Sequence, residues 1–148
     1  MGLGQQRVKS WARFQVNSVR SELMTKLHGY EMALSILGEF QFRDFSLVRE
    51  LRFYEEMGGD RPIQNLEMII ESEKREPNYR LCLKFSGVSN LRLSNFGGGE
   101  TRIAGFDVVD VTDRQWEKIS WEVLDYEDGD LAFYAFTGQV VSVTALNS

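Results

Sequence analysis

The sequence predicts an α+β fold: an N-terminal amphipathic helix packed on an antiparallel, curved sheet of about seven strands. Three observations lead there. A helical apolar stripe opens the chain, short runs with strand alternation fill the rest, and Gly-, Asn- and Asp-containing turns separate those runs. The 148 residues suit a single domain with one core, divided into a helical segment over residues 1–38 and a sheet over residues 39–148.

The first element follows from spacing. Between Arg7 and His28 there is no Pro or Gly, and Val8, Ala12, Val16, Val19, Leu23 and Leu27 recur every three or four residues. Gly29 suits a left-handed stop, and Tyr30 to Leu37 reads as a second, shorter helix ending at Gly38. Phe40, Phe42 and Phe45 then crowd the approach to a strand over Ser46 to Glu55.

The stretch Met57-Gly58-Gly59-Asp60-Arg61-Pro62 breaks that strand, and a second runs from Gln64 to Ser72 before a charged loop containing Pro77. In the third, Leu81, Leu83 and Phe85 alternate with Cys82, Lys84 and Ser86, so the apolar side chains share one face. Gly87-Val88-Ser89-Asn90 leads into Leu91 to Phe96, which makes either a hairpin or one long strand with a bulge at Gly87. Beyond the Gly97-Gly98-Gly99 loop come an extended run from Ile103 to Val111 and a polar turn from Thr112 to Lys118. Strands at Ser120 to Tyr126, Leu131 to Phe136 and Gln139 to Leu146 then form a closing meander. Their turns are Glu127-Asp128-Gly129-Asp130 and Thr137-Gly138.

Composition removes several kinds of chemistry. With one His and one Cys the chain offers almost no nitrogen or sulfur ligands, so neither a transition metal nor another cofactor is expected. Cys82 lies inside a strand and reads as a small core residue, and His28 reads as a helix-end or hydrogen-bonding residue. Asp125-Tyr126-Glu127-Asp128-Gly129-Asp130 invites comparison with the EF-hand loop. Aligned on Gly129, however, Leu124 and Tyr126 fall at the first and third ligand positions, so the stretch reads as a hairpin turn with no metal.

The Gly97-Gly98-Gly99-Glu100 loop lacks the lysine and hydroxyl of a phosphate loop. Asp107 with Asp110, and Glu122 with Asp125, could supply two carboxylates for a hydrolase, although acids on strands usually face solvent. No basic residue follows Lys118, so the strands carrying Phe133, Tyr134 and Phe136 do not make a nucleic-acid stacking surface. Those rings could instead line a cavity for a small apolar ligand between helix and sheet.

No run of 18 apolar residues and no signal-like opening occur, which predicts a cytoplasmic protein without a membrane partner. The net charge of −5 is unevenly spread. Residues 97–130 hold ten acids against three bases, whereas residues 1–30 hold five bases against one acid. A partner for the acidic side would be a basic protein, met by Asp107, Asp110, Asp113, Asp125, Glu127, Asp128 and Asp130.

Phe42-Arg43-Asp44-Phe45-Ser46-Leu47-Val48, then Leu81-x-Leu83-x-Phe85-x-Gly87-Val88 and Leu91-x-Leu93-x-x-Phe96, resemble the motifs of bacterial immunity-type proteins, specifically immunity protein family fifty. Arg43 stands where that pattern has histidine. The resemblance implies a compact, sheet-rich, non-enzymatic protein that neutralises a partner toxin by binding it, and it assigns no catalytic residue.

Overall fold

The computed structural model describes residues 27–146 and shows one short helix and nine strands in two antiparallel sheets. The helix expected over Arg7 to His28 lies almost entirely outside the described residues. Helix α1 (Tyr30–Leu37) is the short one expected, and it starts at Gly29 in the left-handed region and stops at Gly38, whose N–H donates to the Leu34 carbonyl. Its buried residues Tyr30, Ala33 and Leu37 share a face through spacings of three and four. That face joins the Phe40, Phe42 and Phe45 rings, where Phe40 packs edge-on to Phe42 at 5.5 Å and Phe42 edge-on to Phe106 at 6.0 Å. The crowd of phenylalanines read from the sequence is therefore a real aromatic cluster.

Strands β1 (Phe45–Gly58) and β2 (Arg61–Ser72) form a long hairpin around Gly59 and Asp60. The rest are β3 (Tyr79–Ser86), β4 (Ser89–Leu93), β5 (Thr101–Arg102), β6 (Phe106–Asp110), β7 (Trp121–Asp125), β8 (Leu131–Ala135) and β9 (Thr137–Ala145). The first sheet has the order β5-β1-β2-β3-β9 and the second β4-β8-β7-β6. Strand alternation placed the core well: Leu81, Leu83 and Phe85 are fully buried, as are Leu66, Met68 and Ile70 opposite them on β2.

Two expectations need correction. The strands do not form one sheet of about seven, and the last three are not a meander. Only β6, β7 and β8 run as one, and β9 leaves them to pair with β3. The physical reason lies in the connections. Thr137-Gly138 is not a tight turn, because Thr137 and Gly138 already pair with Ser86 and Phe85. Likewise Gly87 begins no hairpin, because β3 and β4 do not pair with each other, and there is no bulge there either: the two strands lie in different sheets, with an unchanged register across the bend at Gly87.

The bend is shared by two chain segments. Ser86 faces Thr137 on one side of it and Ser89 faces Tyr134 on the other, three residues on in each strand, while the Phe136 N–H donates to the Ser86 carbonyl at 3.0 Å. A two-stranded ribbon thus leaves the first sheet and enters the second. Gly87 has φ of 69°, and a Cβ there would lie 2.8 Å from the Phe136 Cβ, so the turning point admits only glycine without a shift. Close to it, Phe85 of the first sheet meets Phe133 of the second edge-on, with ring centroids 5.1 Å apart.

Both sheets contribute to one buried cluster, which α1 and the rings of Phe42 and Phe45 also join. At β9 the chain before α1 adds a single parallel bridge, in which the His28 N–H donates to Gly138 and the His28 carbonyl accepts from Val140. His28 itself is exposed.

Phe85→Ala removes a ring from the junction and should cost about 3–5 kcal/mol of unfolding free energy. Gly87→Ala, which deletes nothing, should still cost more than about 1 kcal/mol because its backbone is incompatible with a side chain. Urea denaturation of both variants checks this; a neutral Gly87→Ala would remove the bend from its central place in the fold.

Candidate functional site

The acidic residues singled out in the sequence do not form one patch. Strands β6 and β7 pair from Phe106↔Asp125 to Asp110↔Trp121, which places Asp110 and Asp113 at one end of the hairpin and Asp125 to Asp130 at the other. Four residues at the rise of an extended strand put about 13 Å between the two ends.

Burial divides them further. Asp107, Asp125 and Asp130 are buried, at 4%, 1% and 9% exposure, whereas Asp113, Glu127 and Asp128 are exposed and Asp110 lies between. Arg43 pairs with Asp107 at 3.5 Å, rather than with its neighbour Asp44. Asp44 instead secures the turn leading into β1, where its carboxylate accepts the Gln41 N–H at 3.0 Å and lies 3.6 Å from Arg75. Asp110 accepts from both the N–H and the hydroxyl of Thr112. The pairs suggested for hydrolysis are divided by the pleat, since residues three apart on a strand point to opposite faces. That separates Asp107 from Asp110 and Glu122 from Asp125.

The turn between β7 and β8 is the better-built end. Asp125 Oδ1 accepts the Glu127 and Asp128 N–H groups at 3.1 and 3.2 Å, and the Gly129 N–H donates to the Asp125 carbonyl at 3.0 Å. This is the Asx geometry that lets a short acidic turn reverse the chain. From β4's end the Ser94 hydroxyl and Asn95 Nδ2 donate to Asp130 Oδ1 at 3.1 and 2.9 Å, and the Ser94 N–H donates to the Asp130 carbonyl. Gly105 fits beneath the turn, where a Cβ would meet the Glu127 Cγ at 2.8 Å.

Carboxylate oxygens of Asp125, Asp128 and Asp130 lie within 4.8 Å of one another. Ser94, Asn95 and Gly105 were not legible as parts of this site. Their only local signal was Asn95, a residue type that tolerates the left-handed conformation it adopts here at φ 61°.

The outer face of the first sheet treats its acids differently. Glu71 receives Arg49 Nε at 2.9 Å and Arg80 Nη2 at 2.6 Å; Arg49 reaches on to Glu100, and Arg102 joins Glu100 to Glu73. Burial, the largest single influence on Glu71, pushes its carboxyl upward, but the hydrogen bonds and charges of the two arginines together hold it below the usual carboxylate range. On the same face burial raises the Cys82 thiol, and Glu67 and Glu50 raise it further, so the thiolate is disfavoured.

The aromatic residues considered for a ligand cavity meet three different surroundings. Phe133 is in the core, Tyr134 packs edge-on to Trp116 at 5.4 Å, and Phe136 is half exposed. No helix of the described residues is long and apolar enough to cross a membrane. No family model, curated protein or solved structure matches the chain.

Because the folded-state value of Glu71 is depressed, its contribution to stability is complete above the unfolded carboxylate value and is lost as pH falls through the lower folded value. The stability gap between the natural chain and Glu71→Gln should therefore hold steady through neutral pH and close as the solution is acidified below the ordinary carboxylate range. Urea midpoints across pH measure it, and a gap independent of pH would contradict the arginine pairing.

Proposed function

We propose that this is a non-enzymatic binding protein that engages a basic partner protein through its exposed acidic turns. The observation that carries this reading is a contrast in charge compensation. Glu71, Glu73, Glu100 and Glu122 each meet an arginine, whereas among the described residues no arginine or lysine pairs with Asp113, Glu127 or Asp128. The imbalance extends beyond these turns: five of the 17 basic residues but one of the 22 acids fall within residues 1–26, so the rest of the chain is strongly acidic.

Uncompensated carboxylates on exposed turns attract a complementary surface and speed encounter, with an effect that weakens as salt rises. The buried acids contribute differently. Asp125 and Asp130 shape the turn that presents Glu127 and Asp128, and Asp107 holds Arg43. Immunity-like action, in which binding neutralises a partner toxin, is the specific form of this reading suggested by the strand motifs around Phe42 to Val48 and Leu81 to Phe96.

Co-purification from the native cell at low and high salt, with the natural chain and with Asp113→Lys/Glu127→Lys, tests the proposal. The expected result is a stoichiometric basic protein held at low salt by the natural chain and released by the double variant, whose stability stays within about 0.5 kcal/mol of the original. A partner retained equally by the variant would refute the acidic-turn assignment.

A further inference from the structure

We infer that the β7–β8 turn is a calcium site in which Asp125, Asp128 and Asp130 ligate one ion. This goes beyond partner binding and does not rest on it: Asp128 is the one exposed residue the two readings share, and Asp113 and Glu127, whose replacement tests partner binding, lie outside the ligand set. The cluster alone would say little, because acids often gather on turns. What singles it out is Asp125. This residue is 1% exposed, and while its Oδ1 accepts two backbone N–H groups, its Oδ2 is buried and accepts no hydrogen bond.

A buried carboxylate oxygen without a donor is costly, and native proteins rarely leave one so. Here it belongs to a group whose carboxylate sits with two others. Three like charges this close repel, and no arginine or lysine of the described residues offsets them. A cation bound among the three would relieve the repulsion and give the Asp125 carboxylate, one oxygen of which has no donor, a positive partner.

The donor set selects the ion. It is all oxygen and anionic, which suits a hard cation and not zinc or copper. Three protein carboxylates at one point suit Ca²⁺, which takes several carboxylates in flexible geometry, better than Mg²⁺, which demands a near-ideal octahedron and usually keeps its waters with only one or two carboxylates. The site is also held from outside the turn. Ser94 and Asn95 orient the Asp130 carboxylate through Oδ1, as supporting hydrogen bonds orient ligands in other metal sites. Exposed Asp128 would bring the third oxygen and leave the ion an opening to water. The failed EF-hand alignment is consistent with this, because the ligand order here is that of a short turn between antiparallel strands.

Calcium chloride alone, titrated calorimetrically into the full chain stripped with chelator, tests the site, with magnesium chloride as the parallel arm. The expected result is one saturable Ca²⁺ per chain with a Kd of roughly 10⁻⁴ M, a rise in Tm, and weaker Mg²⁺ binding. Asp128→Asn, at an exposed position, should fold with the metal-free Tm of the natural chain and bind Ca²⁺ about tenfold or more weakly. Asp125→Asn should abolish the calcium-dependent rise in Tm; should it fail to fold, Asp128→Asn alone decides. No saturable Ca²⁺ binding up to about 10⁻³ M, undiminished binding by Asp128→Asn, or Mg²⁺ bound as tightly as Ca²⁺ would overturn the assignment.

Discussion

The fold depends on the bend that the β3–β4 and β8–β9 strands make together. Two antiparallel sheets, each with one apolar face, are stable only if those faces meet, and a large side chain buried there contributes about 1.5–3 kcal/mol. The ribbon turning at Gly87 and Phe136 brings them together while keeping one register on both sides of the bend. Phe85 and Phe133, one from each sheet, then close edge-on at the junction. Gly87 is the point at which backbone conformation and tertiary packing make the same demand: its φ is positive, and the space a Cβ would fill is already taken by Phe136.

That geometry also decides the fate of the carboxylates. Once β6 and β7 are tied as a hairpin in the second sheet, the acids at their ends are carried to opposite ends of the pair, and the pleat turns alternate residues inward and outward. Asp125, which continues the inward set of Trp121 and Val123, ends up buried beside the core, whereas Glu127 and Asp128 follow it into solvent. A run of acids that reads as one surface in the chain thus becomes an inward group that builds a turn and an outward group exposed to solvent.

The outer face of the first sheet and the β7–β8 turn differ in how they manage charge. On the outer face of the first, arginines from β1, β3 and β5 thread between glutamates, so that even the buried Glu71 keeps its charge between Arg49 and Arg80. Individual pairs of this exposed kind contribute little, about 0–1 kcal/mol, but together they join four strands and the loop that carries Glu100. The β7–β8 turn has no such compensation among the described residues. Physical interest therefore concentrates on the turn, because an anionic site left uncompensated has affinity to offer a cation or a basic surface.

Much of this was legible in the sequence. Alternation at Leu81, Leu83 and Phe85, the helix ending at Gly38 and the aromatic crowd from Phe40 to Phe45 are local patterns, and local patterns survive folding because side-chain periodicity and turn chemistry act within a few residues. The sequence by itself thus determined the places of most strands, though not of β5 (Thr101–Arg102), together with much of the core and the acidity of the turns. Only the tertiary structure decided that there are two sheets, that β9 returns to β3, that Arg43 meets Asp107, and that Asp125 faces inward beside Asp130 with Ser94 and Asn95 behind it. Each of those depends on a partner distant along the chain, and neither spacing nor composition encodes which distant strand will supply it.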